Sequence, residues 1–559
     1  MHTENAMKAV YTILMVVMGF VILVPVLALM FGSFWSASPV AAGHVTLDNW
    51  VRALNISIPA DIPTLVFNSL IFAFATAAIS VVLGVAMAFL VARTDMPYGH
   101  VFAKLGIVPR AFPVIIAALA WILLLSPRIG VLNVMFREVF GTNLFNIYSF
   151  PGMIFIMVLY ESPIVFLIAL NAFRLMDPSL EEQSIACGNT VMGTLRRVTL
   201  PVLRPLILSS FLLVFVIGLI TLEVPILIGA PGGIFVFTSA IFNIIASEYQ
   251  SLIYYNTAAA LAMMVIPLSL ISLFLYRHLV RRAESFVTVT GKARAENVHH
   301  LGRWRYVAFV CSSLYFAVVI VLPALIIVWL SFSQFVASPS LHVLTQLTLN
   351  HWTSTLEDPV FWRALRNTLI LCFAGATATV TIALGVGYLL VRSGVKLKGP
   401  IEAAAMLPLA FPGTILAVGF VWAYIRTPVY GTLWILLLYF IGNYLPFALR
   451  TLSPFLFQFH KEFEEASWTS GASALGTITR IVIPFLRGGL FSVWILLFQI
   501  YLREFAGAVI LFTYGNEVFS TLLYQRAFDE GQFGIGAVIG VLMLVLSLGL
   551  HLLVSRREA

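Results

Sequence analysis

Between Ile13 and Met30 the chain carries no charge and is apolar on every face of a helix. Such a run does not alternate, so it fits neither a half-buried strand nor the wall of a membrane β-barrel; it is predicted to be a helix whose whole circumference meets lipid. Further runs long enough to cross ~30 Å of hydrocarbon as helices fall at 63–92, 105–126, 150–172, 206–228, 253–276, 306–331, 365–391, 401–424, 431–449, 490–511 and 533–554, which makes twelve spans. Composition agrees. Of 559 residues 61% are hydrophobic and 10% charged, where soluble domains carry about 25% charge. A chain this apolar uses the bilayer as its solvent, and a soluble enzyme is excluded.

The spans are not independent of one another. The segment from Pro25 to Phe34 returns as Pro323 to Phe332, and Thr46-Leu47-Asp48-Asn49-Trp50 returns as Thr348-Leu349-Asn350-His351-Trp352. Asn68-Ser69-Leu70-Ile71 returns as Asn367-Thr368-Leu369-Ile370, Arg93 as Arg392, and Pro109-Arg-Ala-Phe-Pro113 as Pro408-Leu-Ala-Phe-Pro412. Each copy holds six spans. Six is even, so the copies share one orientation and are parallel repeats about an axis along the membrane normal. We expect a first unit at 1–276, a basic linker at 277–305 and a second unit at 306–559. The first span is retained, not cleaved as a signal peptide, because it has a twin in mid-chain.

Basic residues set the topology. Lys+Arg number 32 against 24 Asp+Glu, for a formal charge of +8. If both termini are cytoplasmic, the inside segments collect Lys8, Arg93, Lys104, Arg174, Arg196, Arg197, Arg204, the linker from Arg277 to Arg305, Arg392, Lys396, Lys398, Arg450, Lys461, Arg480 and Arg487. That is the positive-inside pattern, and it accounts for the charge excess without a nucleic-acid partner. The expected location is the inner (plasma) membrane.

Two inside loops, 177–205 and 460–488, are the best-matched polar segments. At a constant offset they share Glu181/Glu464, Glu182/Glu465, Gly188/Gly471, Gly193/Gly476, Thr194/Thr477, Arg197/Arg480, Pro201/Pro484 and Arg204/Arg487. Each reads as a helix–turn–helix. Asp177 and Pro178 open a helix with acidic residues at its positive end. Gly188 and Gly471 supply a left-handed stop, and Thr190 and Ser473 cap the next helix, which is expected to halt at Pro201 and Pro484. Two short helices held across the inner face would form docking surfaces; an amphipathic interfacial helix is the plainer alternative.

A Glu, a Gly six residues on and a Pro thirteen beyond that, in the loop between the fourth and fifth spans of each repeat, resembles the EAA loop of ABC importer permeases. The resemblance implies that Glu181, Glu182, Gly188 and Pro201, with Glu464, Glu465, Gly471 and Pro484, form coupling helices for a cytoplasmic ATPase. The sequence departs from the motif at Gln183-Ser184, Ala466-Ser467, Leu195 and Ile478. Two permease units in one polypeptide resemble the ferric-iron importers, with thiamine permeases as relatives. The implied fold is all-α: an integral membrane protein of about twelve helices in two parallel six-helix repeats, the type I ABC importer permease fold. The implied partners are two copies of an ATP-binding subunit, which would hold the ATP and Mg, and a periplasmic or extracellular binding protein. This chain has no Gly-x-x-x-x-Gly-Lys-Ser/Thr of its own, so it is expected to bind no cofactor and to be a transport protein, not an enzyme.

Ionisable residues inside spans are costly and mark pathways or pairs. Glu161, Glu223 and Glu504 are the candidates for a carboxylate-lined route suited to a hard cation or to thiamine. Glu223 and Glu504 are placed similarly, late in the fifth span of each repeat. The structural alternatives pair Glu504 with Arg503 or Arg526, and Glu161 with Arg110 or with backbone near Pro163. No metal-ligand cluster is visible: His299 and His300 fall in the linker, and His278 and His551 near span ends. Cys187, Cys311 and Cys372 read as small buried hydrophobes. The rival readings are a secondary transporter of the major facilitator type, whose Gly- and Arg-rich motif is poorly matched by Ala92 to His100, and a channel.

Overall fold

In a computed structural model, residues 12–57, 59–247, 254–284, 299–335, 346–392 and 398–558 are described. Residues 285–298 of the expected linker, with Lys292 and Arg294, lie outside them, as do Lys8 and Lys396. Among the described residues nine helices are long and apolar enough to cross a bilayer, or up to 12 when each bent helix pair counts as one span. In chain order these nine are α1 (Thr12–Ser33), α2 (Ile62–Arg93), α3 (Phe150–Leu175), α4 (Val191–Ile220), α6 (Trp304–Phe332), α7 (Pro359–Arg392), α8 (Leu433–Gln458), α9 (Leu475–Arg503) and α10 (Phe533–Glu558); α5 (Tyr254–Glu284), at the span expected over 253–276, has only a shorter apolar stretch, Tyr255–Ile271.

Three spans depart from the sequence expectation. The third and ninth are bent, Gly99–Ala111 against Val114–Leu125 by 96° and Lys398–Ala410 against Gly413–Tyr424 by 110°. The bends sit in the repeated Pro-x-x-x-Pro. Phe112 and Phe411, each preceding a proline, have ψ of 124° and 125°, because the proline ring disfavours helical backbone in the residue before it. The fifth span was expected at 206–228, but α4 starts at Val191 and ends at Ile220. Pro225 instead opens a further bent pair, Pro225–Gly232 and Phe237–Ala246, at 80°.

The repeat is visible in atomic detail. After α1, Thr46 N donates to Phe34 O at 2.7 Å; after α6, Thr348 N donates to Phe332 O at 2.8 Å. Asn49 Nδ2 donates to Trp35 O at 2.7 Å, and the matched His351 Nε2 lies 3.0 Å from Ser333 O. Asn68 donates to Phe235 O at 2.9 Å, and Asn367 to Glu517 O at 3.0 Å. Ser69 Oγ accepts from Phe237 N, as Thr368 Oγ1 accepts from Phe519 N.

The two repeats interlock. α1 packs on Gly413–Tyr424 of the other repeat, closely enough that a Cβ on Gly419 would stand 2.5 Å from Pro25 O and one on Gly32 2.4 Å from the Trp422 ring. Small residues give helices in lipid their van der Waals contact, since apolar burial alone drives little association there. α6 in turn packs on Val114–Leu125 and on α10. Each repeat thus clasps the bent span of its twin, and the broken prolines of both are brought to the middle.

Candidate functional site

Each polar loop lies at the end of the second membrane helix of its own repeat. Their helices are Ser179–Ala186 and Glu462–Thr469. Gly188 and Gly471 follow with φ of +86° and +80°, the left-handed backbone that glycine adopts without steric cost. Thr190 Oγ1 accepts from Gly193 N at 3.1 Å and Ser473 Oγ from Gly476 N at 3.1 Å, capping the second helices. Asp177 Oδ1 accepts from Ser179 N at 2.9 Å.

The second helices do not halt at Pro201 and Pro484. They run on into α4 and α9 through single π turns, Leu195–Thr199 and Ile478–Val482. A proline lacks the N–H of the ladder and crowds the carbonyl four residues back; one wide turn placed just before it relieves that crowding without breaking the helix. Each loop is therefore mechanically continuous with a membrane helix.

Within each Glu pair the two members part. Glu181 and Glu464 are buried, whereas Glu182 and Glu465 are exposed. Glu181 Oε2 stands 3.3 Å from Arg93 Nε at the end of α2, and Glu464 Oε1 3.5 Å from Arg392 Nε at the end of α7. Thr199 Oγ1 donates to Glu181 Oε1 at 2.7 Å. The second repeat has Val482 there, and Tyr388 supplies Glu464's hydroxyl partner. Burial lifts the Glu464 carboxyl above its ordinary range, with Arg392 drawing it back. The two arginines also close the loops: Arg93 Nη2 donates to Met176 O at 3.0 Å, and Arg392 Nη2 donates to Phe459 O. Ser184–Thr194 and Ser467–Thr477 hydroxyl pairs, both at 2.9 Å, tie helix to helix across each turn. Facing outward beside Glu182 and Glu465 are Leu180 and Ile185, and Phe463 and Trp468.

One loop has an extra partner. His299, from the linker, is buried with Nε2 3.8 Å from Glu181 Oε2. Its backbone bridges the segment after α2, His299 N donating to Arg93 O at 2.7 Å and Asp95 N to His299 O at 3.2 Å. Burial pulls the imidazole below its usual pKa, against the pull of Glu181. Nothing in the residue pattern pointed to this contact. Among the described residues no three His, Cys, Asp or Glu side chains gather as metal ligands. Cys372 is buried as expected, but Cys187 and Cys311 are exposed, Cys187 beside Gly188 on the first loop.

Where the bent spans meet, a cavity of about 660 Å³ opens between the repeats. Glu161, Glu223 and Glu504 all line it, with Arg110, Arg450 and Arg503. α4 ends at Ile220 and α9 at Arg503, so Glu504 matches Thr221, and Glu223 sits two residues further on. Glu504 pairs with neither Arg503 nor Arg526. Its oxygens accept from Tyr439 Oη at 3.2 Å, from Tyr444 Oη, and from Gly507 N at 3.1 Å. Arg526 instead holds Asp358 and Glu530, both at 2.6 Å. Glu161, 1% exposed, has one oxygen without a hydrogen-bond partner. Arg110 and Arg503 lie within Coulombic reach of it, and no backbone group near Pro163 satisfies that oxygen. Tyr444 and Glu161 occupy matched positions of the two repeats, so the cavity's two walls are chemically unlike.

Two interlocked like repeats of apolar helices, with a cavity between them lined by three Glu and three Arg and one matched loop in each repeat, have the build of a membrane permease. The chain belongs to the family described as binding-protein-dependent transport system inner membrane component, whose model matches residues 4–285 and 375–557. It is 27% identical over 95% of its length to the ferric transport system permease protein FbpB of Actinobacillus pleuropneumoniae, covering 75% of that protein. It is also 27% identical over 89% of its length to a putative ferric transport system permease protein FbpB 1 of Haemophilus influenzae, covering 77%. A second Haemophilus influenzae protein, Fe(3+)-transport system permease protein FbpB 2, is 23% identical over 91% of the chain and is 92% covered. The family is that of ABC importer permeases, so the facilitator and channel readings are set aside.

Proposed function

We propose that this chain forms the transmembrane pathway of a ferric-iron importer, driven by ATP hydrolysed on a separate subunit. The matched loops carry the reading: each has a buried Glu locked to a membrane helix and an exposed Glu flanked by apolar side chains. A rigid helix with an exposed acidic and apolar face is what a partner grips, and its continuity with α4 or α9 passes a push into the membrane. Two loops call for two ATPase copies on the cytoplasmic side, where both termini also lie. A soluble binding protein would deliver cargo from the opposite face. Closure of the ATPases would then tilt the interlocked repeats and switch the central cavity between inward and outward access. Ferric iron is favoured as cargo by the names of the relatives.

The test is uptake by the chain reconstituted in vesicles with its ATPase and binding protein. Iron accumulation should require ATP and the ATPase. Uptake driven by an ion gradient with this chain alone would overturn the importer reading, and uptake of thiamine in place of iron would overturn the cargo.

A further inference from the structure

The charges around the cavity do not suit a naked trivalent cation. Three guanidiniums, those of Arg110, Arg450 and Arg503, line it alongside the three carboxylates. A bare Fe³⁺ would be repelled by all three in a setting where water screens poorly. Nor are the carboxylates equally available. Both oxygens of Glu504 already accept from Tyr439, Tyr444 and Gly507 N, and Glu223 Oε2 accepts from Thr221 Oγ1 at 3.2 Å and Leu222 N at 3.3 Å.

The guanidiniums are the better-supplied side. Arg503 Nη1 donates to Arg110 O and reaches Tyr160 Oη at 3.5 Å, and Arg110 stacks over the Tyr160 ring at 5.3 Å. These contacts fix the two side chains beside one another while leaving donors of each fork over, and among the described residues neither forms an ion pair. Two adjacent guanidiniums with donors to spare are the arrangement that binds carboxylate or phosphate oxygens. Next to them stands Glu161, buried, with one oxygen lacking a hydrogen-bond partner. The site thus offers donors to an anion and an acceptor to a water or hydroxyl on a metal.

We propose that the cavity receives the cation with a small oxyanion chelator still bound, Arg110 and Arg503 holding the oxyanion and Glu161 facing the metal side of the complex. This rests on the ferric reading above. It makes the cargo a near-neutral chelate, for which a wall of balanced charge costs less desolvation than it would for a trivalent ion. The positions matched to Arg110 and Arg503 in the opposite repeats are Leu409 and Ile220, which also line the cavity, so the two guanidiniums have no symmetry mate and the complex enters in one orientation.

The experiment is double-label uptake by the complete importer in vesicles, with radioiron presented as its citrate or its phosphate complex and the anion carrying the second label. ATP-dependent entry of iron together with one of the two anions, in a ratio of about one to one, is expected. Arg110→Gln should lower that joint uptake about tenfold, the loss of one charge-assisted contact, with Arg110→Lys restoring most of it. Assembly of each variant with the ATPase is checked first; if Arg110→Gln fails to assemble, the wild-type label ratio and Arg110→Lys decide. Iron entering without either anion overturns the inference and leaves the ferric importer standing. Joint uptake unchanged in Arg110→Gln overturns the assignment of the anion to Arg110. Thiamine entering in place of iron overturns the ferric reading, and the inference falls with it.

Discussion

Arg93 Nε and Glu181 Oε2 stand 3.3 Å apart with both side chains almost wholly buried, joining the end of a membrane helix to the first residues of a loop helix. The same contact recurs between Arg392 and Glu464 at 3.5 Å. The neighbouring Glu182 and Glu465 point outward. Adjacent residues of one motif therefore do different work: one anchors, the other is presented.

Their substitutions should separate accordingly. Glu181→Ala strands the buried Arg93 and is expected to cost about 3–5 kcal/mol, seen as a lowered unfolding temperature of the purified complex. Glu182→Ala should change stability by less than ~0.5 kcal/mol yet weaken ATPase co-purification. Equal loss of stability in the two variants would refute this division.

At Gly188 and Gly471 a Cβ would meet nothing within 4 Å, while φ is +86° and +80°. The penalty for a side chain there is conformational, not steric crowding: about 1–2 kcal/mol for most residues and less for Asn, which tolerates left-handed backbone. Coupled ATPase activity should fall in the order Gly, Asn, Ala, Val at either site. Val equal to Asn would show that the turn is held some other way.

Cys187 is exposed on the first loop and Cys372 is buried. Cys311, though exposed, lies on α6, where a membrane-impermeant maleimide does not reach. Such a reagent should label Cys187 in inverted vesicles and not in intact cells, and bound ATPase should protect it. Labelling from outside the cell would reverse the proposed topology.

His299 supplies a pH dependence. Its pKa is lowered by burial from an ordinary 6.5, so the unfolded segment binds the proton more readily than the folded one. The buried uncharged imidazole costs no stability above about pH 6.5, and stability is lost as pH falls below that, because protonation puts a charge in the buried site. Asp95, held below the usual carboxylate range by the Leu301 N–H, stays ionised throughout. Leu301 N donates to Asp95 at 2.9 Å, so its hydrogen exchange, corrected for the intrinsic rate, should rise between pH 7.5 and 5.5. His299→Phe should abolish the step; a step that persists would place the titration elsewhere.

Local pattern carried far in this chain. The left-handed glycines, the Thr190 and Ser473 caps and the repeat itself were legible because each rests on a few contiguous residues or on a constant offset. The Pro-x-x-x-Pro pair was recognised as a repeat marker, but not as a hinge of 96° or 110°, since hydropathy runs straight across it. Pro201 and Pro484 were read as stops because a π turn leaves no mark in composition. Ser184 and Ser467 are identical in the two loops, and that identity was the available signal for the hydroxyl pairs at 2.9 Å.

What the sequence determined by itself was therefore the solvent, the spans, the two copies and the loops, all of them consequences of short-range periodicity and charge. Tertiary structure alone decided that α1 grips the bent span of the other repeat. It also decided that Glu504 is held by Tyr439 and Tyr444 and not by an arginine, and that His299 closes on Glu181. Those contacts join residues from 60 to 404 positions apart. No periodicity links such positions; packing does, because a buried charge or a glycine face must find its partner wherever the chain brings one.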